Sequence, residues 1–361
     1  MNKKMKRILI ILITLLLSFS GYSQGFKQSE FYIQRELKAS PALKAKLSQL
    51  RQEIASKNLQ FTVGYTSVAE IPIEKITGAK PMAAGEEVKV LEQFRVNTEA
   101  SRIKNATIAP QQKIVKVPSI EPKFVYGDPT LSKLDLRKGG FVTPVRDQGY
   151  WGSCWAFSAM AAYESSYKII FGTAVNASEE YVVNCSNAGS WDGGWPYKVM
   201  LWMAWQQKNV SDESALPYTG PPQVCPSQAP TAKYYASGWG MVDPAKFATV
   251  ADVAKIKEAL CKYGVISTTL YADDNFKHYT GGYFFGFKSS TGSYAPINHA
   301  VAIIGWDDSI QCWLIKNSWG TDWGTECGYN TERGYMWIKY DSNNIGVQSL
   351  WVRASNASMS Q

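Results

Sequence analysis

Histidine is scarce in this chain. Its 361 residues contain two, His278 and His299, so chemistry that needs an imidazole has only two places to sit. Cysteine is also sparse, with six residues and no Cys-x-x-Cys pair, which argues against a zinc ribbon or a thioredoxin-type redox site. Neither a metal nor a cofactor is expected. Beyond the first two dozen residues no apolar run is long enough to span a bilayer. Tryptophan and cysteine are both missing from the first 125 residues, although the whole chain has 13 Trp and 6 Cys. The formal charge of +8 is uneven as well. Residues 24–125 carry 16 Lys/Arg against 10 Asp/Glu, whereas residues 126–361 carry 18 against 20 and hold no basic cluster with interleaved aromatics. Nucleic-acid binding is therefore excluded as an expectation.

Lys3, Lys4, Lys6 and Arg7 precede an uncharged apolar stretch, Ile8 to Phe19, and small residues follow at Gly21 and Ser23. This is the layout of a secretory signal peptide over residues 1–23, so the protein is expected to be secreted or periplasmic, with no membrane contact after signal removal. An exported chain can keep disulfides. The step in composition divides the remainder into 24–125 and 126–361, with a junction around Ile114 to Pro129. In the first part, Leu43, Leu47, Leu50 and Ile54 predict a helix over Pro41–Asn58, capped by Ser40, and a short strand over Leu59–Val63. In the second part, helical patterns cover Cys154–Phe171, Tyr197–Gln207 and Val250–Tyr263. Strand patterns follow at Val265–Tyr271, Ala300–Trp306, Trp313–Lys316 and Gly334–Tyr340. Helices first and strands later predict an α+β fold.

The chemistry concentrates in Gln148-Gly-Tyr-Trp-Gly-Ser-Cys154-Trp-Ala-Phe157. A cysteine opening an apolar helix is suited to nucleophilic attack. The positive helix end stabilises a thiolate, and its free N–H groups can receive an oxyanion. His299 heads an apolar strand, which holds a side chain rigidly, as a base requires. His278 lies in a polar, aromatic loop and is expected to be an ordinary loop residue.

These stretches resemble the papain and cathepsin family of cysteine peptidases. Gln148 to Phe157 is similar to its nucleophile signature, and His299 follows Cys154 by 145 positions. Trp313-Leu-Ile-Lys-Asn317-Ser-Trp319-Gly320 is similar to its asparagine motif, and Ser178-Glu-Glu with Asn184-Cys185 and Gly193-Gly194 to its middle segment. The resemblance covers about 225 residues, from Asp135 to the C-terminus. It implies a two-subdomain fold, with a helical left part and an antiparallel barrel-like right part. Cys154 is the implied nucleophile, His299 its base, Asn317 the group orienting the imidazole and Gln148 an oxyanion donor, with Trp319 covering the His–Asn bond. Gly193 and Gly194 would hold substrate backbone. Trp195, Pro196, Thr269 and Ile297 would wall an apolar or aromatic pocket for the residue two before the cut, and Arg353 could reach its floor. A Cys185–Cys225 disulfide is also implied.

Ile54, Asn58 and Phe61-Thr-Val-Gly64 resemble the family's inhibitory propeptides, so residues 24–125 read as a shortened propeptide that docks on the enzyme through its opposite charge. The expected protein is a monomeric endopeptidase precursor whose partners are peptide or protein substrates and its own propeptide. Where relatives carry a further disulfide, this chain has Trp151 and Trp191. Cys312 and Cys327 flank the Asn317 loop and could pair with each other, and Cys261 reads as a buried free thiol. Thr325 to Arg333 reads as an insertion that alters the leaving-group side. Two alternatives are an exported Cys/His amidase acting on cell-wall peptides and a non-catalytic peptide-binding homologue.

Overall fold

The computed structural model describes residues 26–83, 85, 86, 88–90, 92 and 127–358. The expected signal peptide, and nearly all of the expected junction, lie outside those residues. Among the described residues no helix is long and apolar enough to cross a membrane.

The strands in chain order are β1 (Phe61–Val63), β2 (Lys133–Asp135), β3 (Gly189–Ser190), β4 (Gly193–Gly194), β5 (Tyr235–Met241), β6 (Ile266–Leu270), β7 (Tyr279–Phe284), β8 (His299–Asp307), β9 (Cys312–Lys316), β10 (Tyr335–Lys339) and β11 (Val347–Ser355). Nine of them form one sheet in the order β1-β7-β10-β9-β8-β6-β11-β5, with β2 on β8. All of its pairings are antiparallel except β7–β10. The helices Cys154–Phe171, Glu179–Cys185 and Pro196–Ala204 make the other half. An α+β architecture is what the order of patterns predicts.

The helix Cys154–Phe171 is the central element. Its sequence is apolar over almost its whole circumference, so it is buried by both halves rather than lying on one, and it ends at Gly172 with φ 71°. Ser158 Oγ donates to Val301 O (2.7 Å) and shares a 2.7 Å bond with Ser267 Oγ, tying the helix to β8 and β6. This cross-link fixes the start of the helix relative to the start of β8, where Cys154 and His299 lie.

The N-terminal segment contributes helices Glu30–Glu36 and Pro41–Ser56. Ser40 Oγ accepts from Leu43 N (3.2 Å), as its capping position predicts. Leu43, Leu47, Leu50 and Ile54 are all buried. Strand β1 then adds to the free edge of β7. Sequence periodicity misses β7 because two glycines interrupt it, and the reason for one of them is steric. Gly282 has φ +89°, and a Cβ there would stand 2.4 Å from Gln60 O on the approaching segment.

Opposite charges meet along this seam at Arg35–Asp322 (2.5 Å) and Lys46–Asp274 (2.7 Å). Both pairs are partly exposed, so each contributes about 1 kcal/mol at most. Burial of Tyr32, Leu47, Phe61, Val63 and Ile76 is the larger contribution. The Thr325–Arg333 stretch faces this segment. Arg333 lies over the Phe31 ring at 3.5 Å, and Tyr32 Oη donates to Gly324 O (2.6 Å).

Cys185 and Cys225 are bonded. The second pairing is not formed, since Cys312 and Cys327 are both free thiols and Cys312 Sγ donates to Ile310 O at 3.1 Å. Cys261 is a buried free thiol as expected. The Trp151 and Trp191 rings meet edge to face, with centroids 6.2 Å apart, while Gly152 N donates to Trp191 O (2.7 Å). An aromatic contact thus stands at the positions where relatives were expected to have a disulfide.

His278 belongs to this seam. Its carbonyl accepts from Gly64 N (2.8 Å), and burial pushes its imidazole down to about 4. An unfolded histidine titrates near 6.5, so between those values the unfolded chain binds the extra proton and His278 removes stability as pH falls. The His278→Asn protein should therefore lose less melting temperature than the parent between pH 6.5 and pH 4. Parallel melting curves across that window would contradict the assignment.

Candidate active site

Cys154 is fully buried at the first position of its helix, and His299 is fully buried at the first position of β8. His299 Nε2 lies 2.8 Å from Asn317 Oδ1, which also accepts from Ser318 N (2.9 Å). An amide oxygen only accepts, so Nε2 carries the proton and Nδ1 keeps its lone pair. That Nδ1 has no hydrogen-bond partner among the described residues. Trp319 lies on the imidazole, with centroids 4.5 Å apart and planes tilted by 30°. Phe276 and Trp323 pack edge-on against Trp319. The His–Asn bond is thus enclosed by aromatic surface, which keeps water from competing for it.

Gln148 is fixed from both ends of its amide. Its Oε1 accepts from Ser318 Oγ (2.7 Å), so Nε2 is the atom turned to the N-terminal segment, where it donates to Ile76 O (3.1 Å) and to Trp151 O (2.6 Å). Trp319 Nε1 donates to the same Ile76 carbonyl at 3.3 Å. A peptide carbonyl of the N-terminal segment thus occupies Gln148 Nε2, the side-chain donor that the resemblance assigns to an oxyanion.

The segment that supplies this carbonyl runs on past the thiol. Gly78 N donates to Cys154 Sγ at 3.3 Å. Gly194 N donates to Gly78 O (2.8 Å), Lys80 N to Gly194 O (3.0 Å) and Ala79 N to Asn298 O (2.9 Å). Ala79 pairs with Gly194 in the parallel sense. Such close passage needs glycine on both sides. A Cβ on Gly78 would fall 1.7 Å from Gly152 O, and one on Gly193 would fall 2.6 Å from Gly78 O. Both expected backbone-holding glycines, Gly193 and Gly194, thus border the segment. Gly78, which donates to the thiol, carries no signal in the sequence beyond being a lone glycine between Thr77 and Ala79.

Burial sets the protonation of the pair. It pushes the Cys154 thiol up to about 11, partly offset by the N–H groups of Ala300, Gly78, Ala79 and Trp155. It pushes His299 down to about 4, against the bond to Asn317. Thiol and imidazole are both neutral over the middle of the pH range while the segment covers them.

A cavity of about 340 Å³ lies beside this crossing, lined by Met82, Tyr294, Ala295, Ile297, Val347 and Gln348 among others. Ile297 is buried at this cavity. Trp195 Nε1 donates to Pro81 O (3.2 Å) at its side. Pro196 is buried as the first residue of its helix. Thr269 is fully buried and its hydroxyl donates to Val347 O (2.8 Å), so it supports the wall rather than forming its surface. Arg353 is exposed and pairs in register with Gly238, and it does not line this cavity, whereas Gln348 does.

Residues 130–354 match the family model described as "Papain family cysteine protease". The chain belongs to that family. Ananain from Ananas comosus is 33% identical over 239 residues, which is 63% of this chain and 62% of ananain. Pro-cathepsin H from Medicago truncatula is 31% identical over 220 residues, 59% of this chain and 58% of that protein. Gamete and mating-type specific protein A from Dictyostelium discoideum is 32% identical over 223 residues, 60% of this chain and 44% of that protein. The chain thus spans less than two thirds of the length of these curated relatives. The bromelain protease from Ananas comosus in complex with the E64 inhibitor is 29% identical, with a TM-score of 0.51, covering 62% of this chain and 99% of that structure. Digestive procathepsin L 3 of Tenebrio molitor larval midgut is 20% identical, with a TM-score of 0.62 over 90% of this chain and 99% of that one. That second likeness extends the shared fold into the N-terminal segment of this papain-family chain.

Gly78→Ala should displace the crossing. Amide hydrogen exchange at Ala79, Lys80 and Gly194 should rise by about tenfold or more while that of Ile303 in β8 stays unchanged. Unchanged protection at Ala79 and Lys80 would show that the crossing tolerates a side chain there.

Proposed function

We propose that this protein is a cysteine endopeptidase made as an inactive precursor. The observation that carries the reading is the His299–Asn317 bond under Trp319, beside a cysteine at a helix N-terminus. Cys154 gives its proton to His299 Nδ1 and attacks the peptide carbonyl as a thiolate. The oxyanion is held by Gln148 Nε2 and the Cys154 backbone N–H, and the imidazolium then protonates the leaving amine. Water attacks the resulting thioester, His299 takes a proton from it, and Cys154 is restored.

The segment Ile76–Met82 acts as the inhibitor. Its parallel run along Gly194 is the reverse of the antiparallel pairing we assign to a substrate, which keeps its own peptide bonds out of reach of the thiolate. Removal of residues 24–125 would open the cleft, return water to the pair and let proton transfer occur. Met82 at the apolar cavity supports a preference for an apolar or aromatic residue two before the cut. The export signal read in residues 1–23 supports action outside the cytoplasm, and a monomer suffices for every group named. A polypeptide held by main-chain bonds at Gly194 and Asn298 favours protein substrates over cell-wall peptides.

Cys154→Ala and His299→Ala should each abolish casein hydrolysis by the processed protein. Gln148→Ala should lower kcat by about 10²–10³-fold as one oxyanion donor is lost. Asn317→Ala should cost less than His299→Ala, because Asn317 orients and transfers no proton. A His278→Ala protein that is inactive beside an active His299→Ala protein would overturn the assignment of the base.

A further inference from the structure

Beyond the apolar cavity the covering segment makes one more charged contact with the enzyme. Tyr197 Oη donates to Glu86 Oε1 at 2.7 Å, and Lys198 Nζ stands 3.6 Å from the same oxygen. The other carboxylate oxygen accepts from the segment's own Ala83 N at 3.3 Å. Lys198 Nζ also lies over the Trp195 indole, 3.7 Å from its centroid, and Lys80 Nζ approaches that ring at 5.3 Å. Tyr197 is 1% exposed, so its hydroxyl is presented from a fixed ring.

Both donors lie in the first turn of the helix Pro196–Ala204, which carries no acidic residue there. A lysine in a first turn sits at the end of the helix dipole that repels it, whereas an anion bound there is favoured by the dipole. The contact with Glu86 settles both: the carboxylate answers the ammonium and the helix end together. Burial raises the Glu86 carboxyl, but the Tyr197, Ala83 and Lys198 contacts outweigh it and hold the group below its ordinary range. These residues belong to the peptidase part and stay when the segment leaves. Lys198 lies over Trp195, whose Nε1 donates to Pro81 O at the Met82 cavity, so the pair borders the side of the cleft that we assign to substrate residues ahead of the scissile bond.

We infer that Lys198 and Tyr197 form an anion-recognising subsite that selects Glu or Asp at the third or fourth residue before the cut, and that Glu86 of the covering segment occupies it in the precursor. A side chain reaches such a site from either chain direction, so the reversed run of the segment does not weaken the mimicry. This inference rests on the endopeptidase reading.

The test uses the processed enzyme and two pairs of peptides, each with a leucine two before the cut. One pair differs as Glu against Gln at the third position, the other at the fourth. At low salt, kcat/KM for the Glu peptide should exceed that for its Gln partner by about fivefold in at least one pair. The ratio should collapse toward one in Lys198→Gln, and fall partway in Tyr197→Phe and in high salt. Equal cleavage of Glu and Gln peptides in both pairs would overturn the subsite and leave the endopeptidase reading standing. A Glu preference that persists in Lys198→Gln would overturn its assignment to these residues. Absence of cleavage of every peptide would overturn both.

Discussion

One close approach organises the site: Gly78 crosses Cys154 with its N–H on the sulfur, in a gap too narrow for a methyl group. The sulfur, the imidazole and the donor pair around Gln148 lose contact with water through that crossing. Desolvation then does what a missing catalytic residue would do. It keeps the thiol and the imidazole neutral although every group of the pair is present. The same carbonyl that blocks Gln148, that of Ile76, is held by Trp319, so the cover is fastened to the groups it silences.

The rest of the fold serves to bring that crossing into place. The edge pairing of β1 with β7 and the burial of Tyr32, Leu47 and Ile76 set where the segment enters the cleft. On the enzyme side, the serine link from the central helix to β6 and β8 fixes Cys154 against His299. The ion pairs across the seam are exposed and minor. The excess positive charge of the N-terminal part therefore bears on encounter more than on affinity.

Much of this was legible in the residues. The helix Cys154–Phe171 has the predicted bounds, because an apolar run closed by Gly172 leaves little choice, and β8 begins at His299. The site residues Cys154, His299, Asn317, Gln148 and Trp319 converge because each belongs to a motif with its own local geometry. What was not legible depends on long-range contact. Strand β7 includes Gly282, whose need for glycine appears only when the Gln60–Phe61 backbone is placed beside it. Ser318 orients Gln148 across 170 positions. Cys312 and Cys327 flank one loop yet stay apart as free thiols, since spacing says nothing about where each side chain turns. The blocking role of Gly78 cannot be read before its neighbours Gly152 and Gly194 are placed beside it.

In the proposed precursor Cys154 is covered and neutral, and it becomes a thiolate only when the segment leaves. The most direct test is the rate of iodoacetamide modification of Cys154, followed by peptide mass spectrometry between pH 4 and 9, before and after processing. Cys154 should be nearly unreactive across this range in the precursor, and in the processed protein it should be modified rapidly well below the ordinary thiol pKa of about 8.5. Equal rates in the two forms would contradict this covering.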